Sequence, residues 1–230
     1  MSPHKKDTTM QLDTHDWPSI AERFKRLYTP AVCDVLDSYE LRFQFVHHSI
    51  RPLDHRLMVA GPAFTIVGTS NSTRDQTKRM GPRVIDSFLP HVVACYDTMG
   101  DEETGVWGEL WSAGAVRRGC VGAVVDGGIR DTAYIRRAGF PIFHKYCIPG
   151  DAVGRFNIVD FGCPVSIGGV RVNFGDYVFG DEDGVVIIPR ELTLEVLERA
   201  EEVCSKENRI RDAIQDNTSL ADLYKTFGKF

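Results

Sequence analysis

One segment constrains the fold of this chain more than any other: an apolar run, two glycines and the start of a helix, in that order. Residues 121–125 carry β-branched and small apolar side chains typical of a buried strand, and residues 126–128 (Asp-Gly-Gly) predict a tight turn after it. Residues 132–138 then have the composition of a helix. This order predicts a layered α/β fold with Arg130 and Asp131 at the carboxyl end of a strand, where such folds bind ligands.

Length and charge limit the classes of protein to consider. A chain of 230 residues with 43% hydrophobic and 26% charged residues is large enough for a folded domain with its own core. Its formal net charge of −5 argues against a general binder of nucleic-acid backbones, which needs a clustered basic surface. The charge does not exclude an anionic substrate, because one arginine and a metal can hold a carboxylate locally.

The cysteines and the start of the chain predict a cytoplasmic protein. Six cysteines are scattered without a C-x-x-C pair, which favours reduced, mostly buried thiols over disulfides or a zinc site. Residues 1–16 are polar and lack the apolar core of a signal peptide, so we expect a frayed tail there. No run of residues is apolar enough to cross a membrane. Residues 17–230 are expected to form a single domain.

Hydrophobic spacing, together with Gly and Pro punctuation, predicts the remaining elements. Helices are expected at 17–27, 31–39, 84–89, 105–118, 191–216 and 220–227. Strands are expected at 58–67, with a bend or edge at residues 61–62, at 91–96, and in a strand-rich region at 163–189. Within that region the pair Gly168–Gly169 predicts a hairpin. The first part therefore resembles βαβ layering and the last part a strand-rich lobe with a helical tail.

Glu109, Arg130 and Asp131 form the candidate site. Twenty residues lie between Glu109 and Arg130, and both ends of that interval are expected at the same mouth of the sheet. Two carboxylates and a guanidinium at one mouth suit a hard divalent cation beside an anionic substrate. Each charge taken alone could equally cap a helix or face solvent, so the prediction depends on the three converging.

Residues around these three widen the candidate site. Gly108 could serve only a turn, or it could allow a ligand to approach the backbone closely. If a helix begins there, the free amides of Leu110 and Trp111 could bind a carboxylate, although the Trp111 side chain equally suits a core or an interface. Lys145 follows a strand and could form a Schiff base, without specific support from its neighbours. Glu207, on the long helix near the end of the chain, is expected to face solvent or pair with an arginine.

Four short segments carry a family resemblance. They are residues 108–110 (Gly-Glu-Leu), 124–127 (Val-Val-Asp-Gly), 130–131 (Arg-Asp) and 180–189 (Gly-Asp-Glu-Asp-Gly-Val-Val-Ile-Ile-Pro). In these segments the chain resembles the RraA-like family, which includes the class II 4-hydroxy-4-methyl-2-oxoglutarate / 4-carboxy-4-hydroxy-2-oxoadipate aldolases. The resemblance extends over residues 20–228, and its most specific part is the acidic residue followed, after twenty positions, by Arg-Asp.

The resemblance implies an α/β fold of the swivelling β/β/α type with C-terminal helices, assembled as a homotrimer or homohexamer with active sites between subunits. It also implies a Mg²⁺ or Mn²⁺ site in which Asp131 is the direct protein ligand and Glu109 holds water on the metal. Arg130 would face the oxygen of a pyruvyl group. Glu207 of a neighbouring subunit is the candidate that completes such a site.

The sequence departs from the usual family pattern in three places. The family often has Asp where this chain has Glu109, and usually Leu where it has Trp111. Residues 128–129 (Gly-Ile) replace a commoner Ala-Val. Because Trp111 would narrow or reshape the pocket, these departures bear on which substrate the chain accepts.

The function implied is an aldolase that cleaves a 4-hydroxy-2-oxo acid to pyruvate and a second 2-oxo acid, with oxaloacetate decarboxylation as a side reaction. Arg130 would stabilise the enolate, and a water poised by Glu109 would take the proton of the C4 hydroxyl. The rival hypothesis is a non-catalytic family member that binds and inhibits a ribonuclease. A third possibility is an enzyme limited to oxaloacetate decarboxylation, which the sequence does not separate from an aldolase.

Overall fold

Strands and helices alternate through the first part of the chain, and a computed structural model describes residues 10–72, 80–216 and 219–228. The helices are α1 (Trp17–Phe24), α2 (Thr29–Ser38), α3 (Gly81–Asp86), α4 (Glu109–Arg117), α5 (Thr132–Ala138), α6 (Thr193–Gln215) and α7 (Leu220–Phe227). The strands are β1 (Arg51–Pro52), β2 (Val59–Ser70), β3 (Val93–Asp97), β4 (Gly105–Trp107), β5 (Gly122–Ile129), β6 (Ile142–Cys147), β7 (Phe156–Phe161), β8 (Val165–Ile167), β9 (Val170–Val172), β10 (Tyr177–Gly180) and β11 (Val185–Ile188).

A mixed sheet forms the centre of the molecule. Its strand order is β1-β6-β5-β3-β2-β10-β11, with β4 beside β5 and β7 beside β2. Strands β2, β3, β5 and β6 run parallel, and α3, α4 and α5 lie in the connections between them. Since the carboxyl ends of parallel strands meet at one edge of a sheet, the turns after β3, β5 and β6 lie close together. The α/β prediction is confirmed, and β8 and β9 form the expected hairpin.

Helix α6 packs at the end of the sheet formed by β10 and β11. Helices α1, α2 and α6 cover β10 and β11, with Phe24 stacked on Tyr177 at 4.6 Å between ring centroids. Arg23 on α1 makes two hydrogen bonds to the Glu201 carboxylate on α6, at 2.8 and 2.7 Å. This ion pair lowers the pKa of Glu201, the hydrogen bond from Arg23 being the main cause. The predictions of one long helix near residues 191–216 and a last helix at 220–227 are confirmed.

Two predictions about local structure around the candidate site were wrong. Residues 126–128 do not form a turn, because β5 continues through them to Ile129. Gly127 and Gly128 serve packing instead: a Cβ on Gly127 would lie 2.5 Å from Thr98, and one on Gly128 would lie 2.4 Å from the Tyr146 ring. Residues 105–107, assigned to a helix, form β4 beside β5, and helix α4 begins only at Glu109.

Two further differences concern Pro62 and the start of the chain. Pro62 lies inside β2 rather than at a bend or an edge, at the point where pairing with β10 ends and pairing with β3 begins. The residue without an N–H therefore stands at the end of a ladder and not in its middle. Residues 1–9 lie outside the described ranges, but residues 10–16 contact the fold rather than fraying. Oδ2 of Asp13 accepts a hydrogen bond from Nε of Arg190 at 3.1 Å, and Asp16 caps α1.

Two findings concern the predictions about a membrane span and about the cysteines. Within ranges 10–72, 80–216 and 219–228, no helix has both the length and the apolar character needed to cross a membrane. Cys95, Cys120 and Cys204 carry buried thiols, whereas Cys147 is exposed.

Asp181, in the 180–189 segment, anchors the start of α2, and its loss should destabilise the fold. The buried carboxylate accepts hydrogen bonds from the amide and hydroxyl of Thr29 at 2.7 and 2.8 Å and from the amide of Asp183 at 3.0 Å. Asp181→Ala leaves buried donors unpaired, so we expect a loss of about 2–4 kcal/mol in the free energy of unfolding, measured by urea titration. Asp181→Asn, which keeps one acceptor oxygen, should lose less; an unchanged midpoint for Asp181→Ala would contradict this role.

Candidate active site

The turn after β5 presents Arg130 and Asp131. The amide of Arg130 donates to the Trp107 carbonyl at 2.9 Å, which joins the ends of β4 and β5. Asp131 has a left-handed backbone, with φ 56° and ψ 31°, a conformation that Asp tolerates better than most residues. Its carbonyl accepts from the amides of Tyr134 and Ile135 and starts α5. Both site side chains are 35% exposed, so a ligand can reach them.

Helix α4 begins beside this turn, and buried hydrogen bonds fix its start. The Trp107 indole donates to Oγ of Ser112 at 2.9 Å, and that hydroxyl donates to the Gly108 carbonyl at 3.2 Å. The first amides of an α-helix have no partner within the helix. The amides of Leu110 and Trp111 therefore lie at this helix start as available donors, as the sequence suggested, with Leu110 itself 81% exposed.

One carboxylate oxygen connects the two elements. Oδ2 of Asp131 accepts a hydrogen bond from the Glu109 amide at 3.3 Å and from Nε of Arg130 at 3.3 Å. The structure thus brings together the three residues that the sequence singled out. It is the backbone of Glu109 that makes the contact, and the side chain of Glu109 remains exposed at the rim.

Gly108 is the residue that permits this close approach. A Cβ at that position would lie 2.6 Å from Oδ2 of Asp131 and 3.2 Å from Cγ of Arg130. We therefore expect Gly108→Ala to displace both side chains and to lower kcat/KM by about 10²-fold, the size of effect that a 1 Å misplacement can cause. Gly150→Ala is the matched control, since its Cβ would meet only the Glu103 carbonyl at 3.3 Å. Equal kcat/KM values for the two variants would show that the close approach of the Asp131 carboxylate to residue 108 is unimportant.

Asp151 belongs to the same cluster and was not identified from the sequence. Its Oδ1 lies 3.4 Å from Nη1 of Arg130, so the guanidinium is held between two carboxylates. No motif marks Asp151, which follows a Pro-Gly pair in the loop after β6. With Glu109 the mouth carries three carboxylates against one guanidinium, an excess of negative charge that favours a bound cation.

Two cavities border the cluster. The smaller, of about 330 Å³, is lined by Arg130, Asp131 and residues 147–149 at the end of β6. The larger, of about 510 Å³, is lined by residues of α3, α4 and β7, and includes Leu110, Trp111 and Asp151. Trp111 packs on the buried Trp107, with ring centroids 5.2 Å apart. Trp111 is therefore both a packing residue and part of a cavity wall.

His144, Lys145 and Tyr146, on β6, line neither cavity. Lys145 contacts the carboxylate of Asp126 as an ion pair and lines neither cavity, so nothing supports Schiff-base chemistry there. The Tyr146 hydroxyl donates to the Asp101 carbonyl at 2.8 Å, and burial raises its pKa to about 12. Burial lowers the pKa of His144. Tyr146 is therefore protonated at neutral pH and acts as a structural donor.

The residues at the mouth fit a magnesium-like ion only in part. Among the described residues, no three Asp, Glu, His or Cys side chains converge as a complete ligand set. Mg²⁺ keeps several waters and often binds through one or two carboxylates, a requirement that Asp131 and Glu109 meet. The space beside the Asp131 carboxylate exists because residue 108 lacks a Cβ. The donor set therefore suits a hydrated hard cation rather than a fully protein-bound one.

Glu207 does not reach this mouth within one protomer. It lies half-buried on α6, which packs beside β10 and β11 at the far end of the sheet from β5. Neither cavity includes it, and none of the contacts described for the chain connects it to Arg130 or Asp131. On its own helix Glu207 was expected either to face solvent or to pair with an arginine. The described contacts show no such pair, and Arg211 donates to Asn208.

A protein-family model matches the part of the chain that forms this mouth. Residues 29–187, which hold Glu109, Arg130 and Asp131, match the model of the RraA-like family, described as Aldolase/RraA. This chain belongs to the RraA-like family. The resemblance drawn from the sequence is thereby confirmed, and so is the fold expected from it.

Two curated relatives of this RraA-like protein differ in length. A Halalkalibacterium halodurans protein named "Putative 4-hydroxy-4-methyl-2-oxoglutarate aldolase" is 30% identical over 202 residues, covering 88% of this chain and 91% of the relative. Protein DlpA of Legionella pneumophila is 29% identical over 219 residues, which is 95% of this chain but only 35% of DlpA. The chain thus spans about a third of the length of DlpA.

Two solved structures share the fold of this RraA-like protein. Streptomyces coelicolor RraAS2, titled an unusual member of the RNase ES inhibitor RraA protein family, has a TM-score of 0.75 at 27% identity, covering 84% of this chain and 96% of RraAS2. A crystal structure described as one of "novel cellulases from microbes associated with the gut ecosystem" has a TM-score of 0.81 at 34% identity. The match covers 88% of this chain and 90% of the other chain.

Proposed function

We propose that this RraA-like protein is a divalent-metal-dependent aldolase. Its substrates would be 4-hydroxy-2-oxo acids such as 4-hydroxy-4-methyl-2-oxoglutarate or 4-carboxy-4-hydroxy-2-oxoadipate, cleaved to pyruvate and a second 2-oxo acid. The observation that carries the proposal is the shared oxygen of Asp131, which lies 3.3 Å from both the Arg130 guanidinium and the start of α4. The name of the H. halodurans relative points to the same reaction class.

Arg130 has the central electrostatic role. When the C3–C4 bond breaks, its electron pair passes to C3 and the charge is shared with the C2 oxygen as an enolate. A fixed guanidinium at that oxygen stabilises the developing charge, and it is held in place by Asp131 and Asp151. Asp131, with Glu109 acting through a water, would hold a divalent cation, which would supply Lewis-acid polarisation of the substrate.

The start of α4 binds the substrate and moves a proton. The amides of Leu110 and Trp111 donate to the C1 carboxylate, as helix N-termini do for anions. Glu109, exposed at the rim, positions a water that takes the proton of the C4 hydroxyl. The same enolate forms when oxaloacetate loses carbon dioxide, so oxaloacetate decarboxylation should accompany the aldolase reaction.

Assembly would complete the site. We propose a homotrimer or homohexamer in which α6 of one subunit brings Glu207 to the mouth of its neighbour. Two observations support this arrangement: the described residues of one protomer hold an incomplete ligand set, and Glu207 lies at the opposite end of its own sheet. The side chain of Glu109 is exposed in the protomer and is therefore available for contacts across such an interface.

A pyruvate-release assay tests the proposal. The full chain is incubated with 4-hydroxy-4-methyl-2-oxoglutarate, and pyruvate is measured by coupled reduction with NADH, before EDTA treatment, after it, and after Mg²⁺ or Mn²⁺ is restored. We expect release that EDTA abolishes and either ion restores. The rival hypothesis, a ribonuclease inhibitor like the family of RraAS2, predicts no release with any metal together with inhibition in a ribonuclease assay.

A further inference from the structure

We propose that the larger cavity receives an apolar, ring-sized substituent at C4 of the substrate, an inference that rests on the proposed function and specifies its substrate class. The cavity has a volume of about 510 Å³ and lies between α3, α4 and β7. Sites for small molecules commonly occupy about 300–1,000 Å³, so a phenyl or branched alkyl group fits here with the adjoining part of the substrate.

The cavity adjoins the groups that hold the reacting end of the substrate. Leu110 and Trp111, whose amides face the C1 carboxylate in the proposed reaction, contribute to its wall. Asp151 also lies on the wall, and its carboxylate is 3.4 Å from the Arg130 guanidinium. A substrate gripped by Arg130 and the start of α4 therefore has its C4 end at the entrance of the cavity.

The lining discriminates against a second charged arm. Tyr96, Trp111 and Phe156 supply aromatic surface, and most of the other lining residues are aliphatic. The charged residues on the wall are Asp86 and Asp151, and within the described ranges no lysine or arginine lines it. Both of these carboxylates are already paired, Asp86 with Arg118 and Asp151 with Arg130. A carboxylate placed in the cavity would lose hydration without gaining a lysine or arginine of the described lining, whereas an apolar group gains by leaving water.

The chemistry of such a substrate balances without a further reactant. In 4-benzyl-4-hydroxy-2-oxoglutarate the C3–C4 bond breaks and the C4 hydroxyl loses its proton as C4 becomes the carbonyl carbon of phenylpyruvate. The electron pair passes to C3 as the enolate of pyruvate, and C3 then takes up a proton. The carboxymethyl analogue, 4-carboxy-4-hydroxy-2-oxoadipate, gives pyruvate and oxaloacetate by the same steps.

The two analogues provide the test, with pyruvate quantified by chromatography. We expect kcat/KM for the benzyl substrate to exceed that for the carboxymethyl substrate by about tenfold or more. Ile85→Lys changes a half-buried position on the wall. The methylene stem of lysine can pack there while its ammonium group lies at the cavity, so the ratio of kcat/KM values should shift toward the carboxymethyl substrate by about tenfold. Ile85→Met, the matched control, should keep the wild-type ratio. Equal or better turnover of the carboxymethyl substrate by wild type would overturn the inference while leaving the aldolase proposal standing.

A binding measurement decides the inference if none of these substrates releases pyruvate, an outcome in which the proposed function fails. The wild-type chain is titrated, with excess Mg²⁺, with 2-benzylmalate and with citrate, which differ only in a benzyl against a carboxymethyl arm, and tryptophan fluorescence is followed. Binding of 2-benzylmalate about tenfold tighter than citrate supports the apolar subsite. Equal affinity, or tighter binding of citrate, overturns it.

Discussion

Arg130→Ala is expected to lower kcat/KM for pyruvate release by about 10²–10³-fold, the cost of removing one preorganised donor to a developing oxyanion. The loss should fall mainly on kcat, because the guanidinium stabilises charge that appears only as the carbon–carbon bond breaks. Arg130→Lys keeps the charge but not the fork that Asp131 and Asp151 hold, so we expect it to recover only part of the activity.

A neighbouring arginine gives the control for this variant. Arg137 lies on α5, stacks on the Tyr134 ring at 4.3 Å and lines neither cavity. Arg137→Ala should therefore leave kcat and KM unchanged, and thermal unfolding should show that both variants are folded. Near-normal kinetics for Arg130→Ala would exclude the assignment of Arg130.

Asp131→Asn is expected to weaken metal-dependent turnover, with the concentration of Mn²⁺ needed for half-maximal activity raised by about 100-fold. Asparagine has the same shape as aspartate and also tolerates the left-handed backbone at this position, where φ is 56°. The substitution thus removes charge without adding strain, which Asp131→Ala would do. Metal affinity is measured by titration of the EDTA-treated variant with Mn²⁺, followed both by activity and by electron paramagnetic resonance of the free ion.

The matched control for this variant is an exposed carboxylate elsewhere. Asp34→Asn, on α2, also removes one negative charge but lies away from the mouth, and it should bind Mn²⁺ like wild type. If Asp131→Asn retained wild-type affinity for Mn²⁺, Asp131 could not be the protein ligand, and the excess of carboxylates around Arg130 would need another explanation.

Local signals in the sequence predicted the elements that end at a residue of special conformation. Gly139 closes α5 with a φ of 65°, and the Gly168–Gly169 pair forms the hairpin between β8 and β9. The C-terminal helices followed from their hydrophobic spacing alone. These features depend on neighbours a few residues away, which is why one sequence is enough to find them.

The wrong predictions of local structure arose at glycines whose role depends on residues distant in the sequence. Gly127 and Gly128 look like a turn, but they leave room inside β5 for Thr98 and Tyr146, which come from other segments. Gly105 begins β4 for a similar reason, since a Cβ there would lie 3.0 Å from the Gly150 carbonyl. No local pattern distinguishes a glycine that turns the chain from one that permits close packing.

The candidate site, too, was predicted only in part. The interval between Glu109 and Arg130 was visible in the sequence, and the structure brings these residues and Asp131 to one mouth. Asp151 was not visible, because its contact with Arg130 depends on how the loop after β6 folds back. The position of Glu207 relative to a site depends on a second subunit, which one chain does not fix.

The most direct test of the central claim is a crystal structure of the full chain grown with Mn²⁺ and pyruvate, with anomalous data collected at the manganese edge. We predict a manganese peak at bonding distance from the Asp131 carboxylate, with the pyruvate carboxylate on the amides of Leu110 and Trp111 and its oxo group facing Arg130. A manganese ion bound away from Asp131, or pyruvate bound without contact to Arg130, would contradict the account.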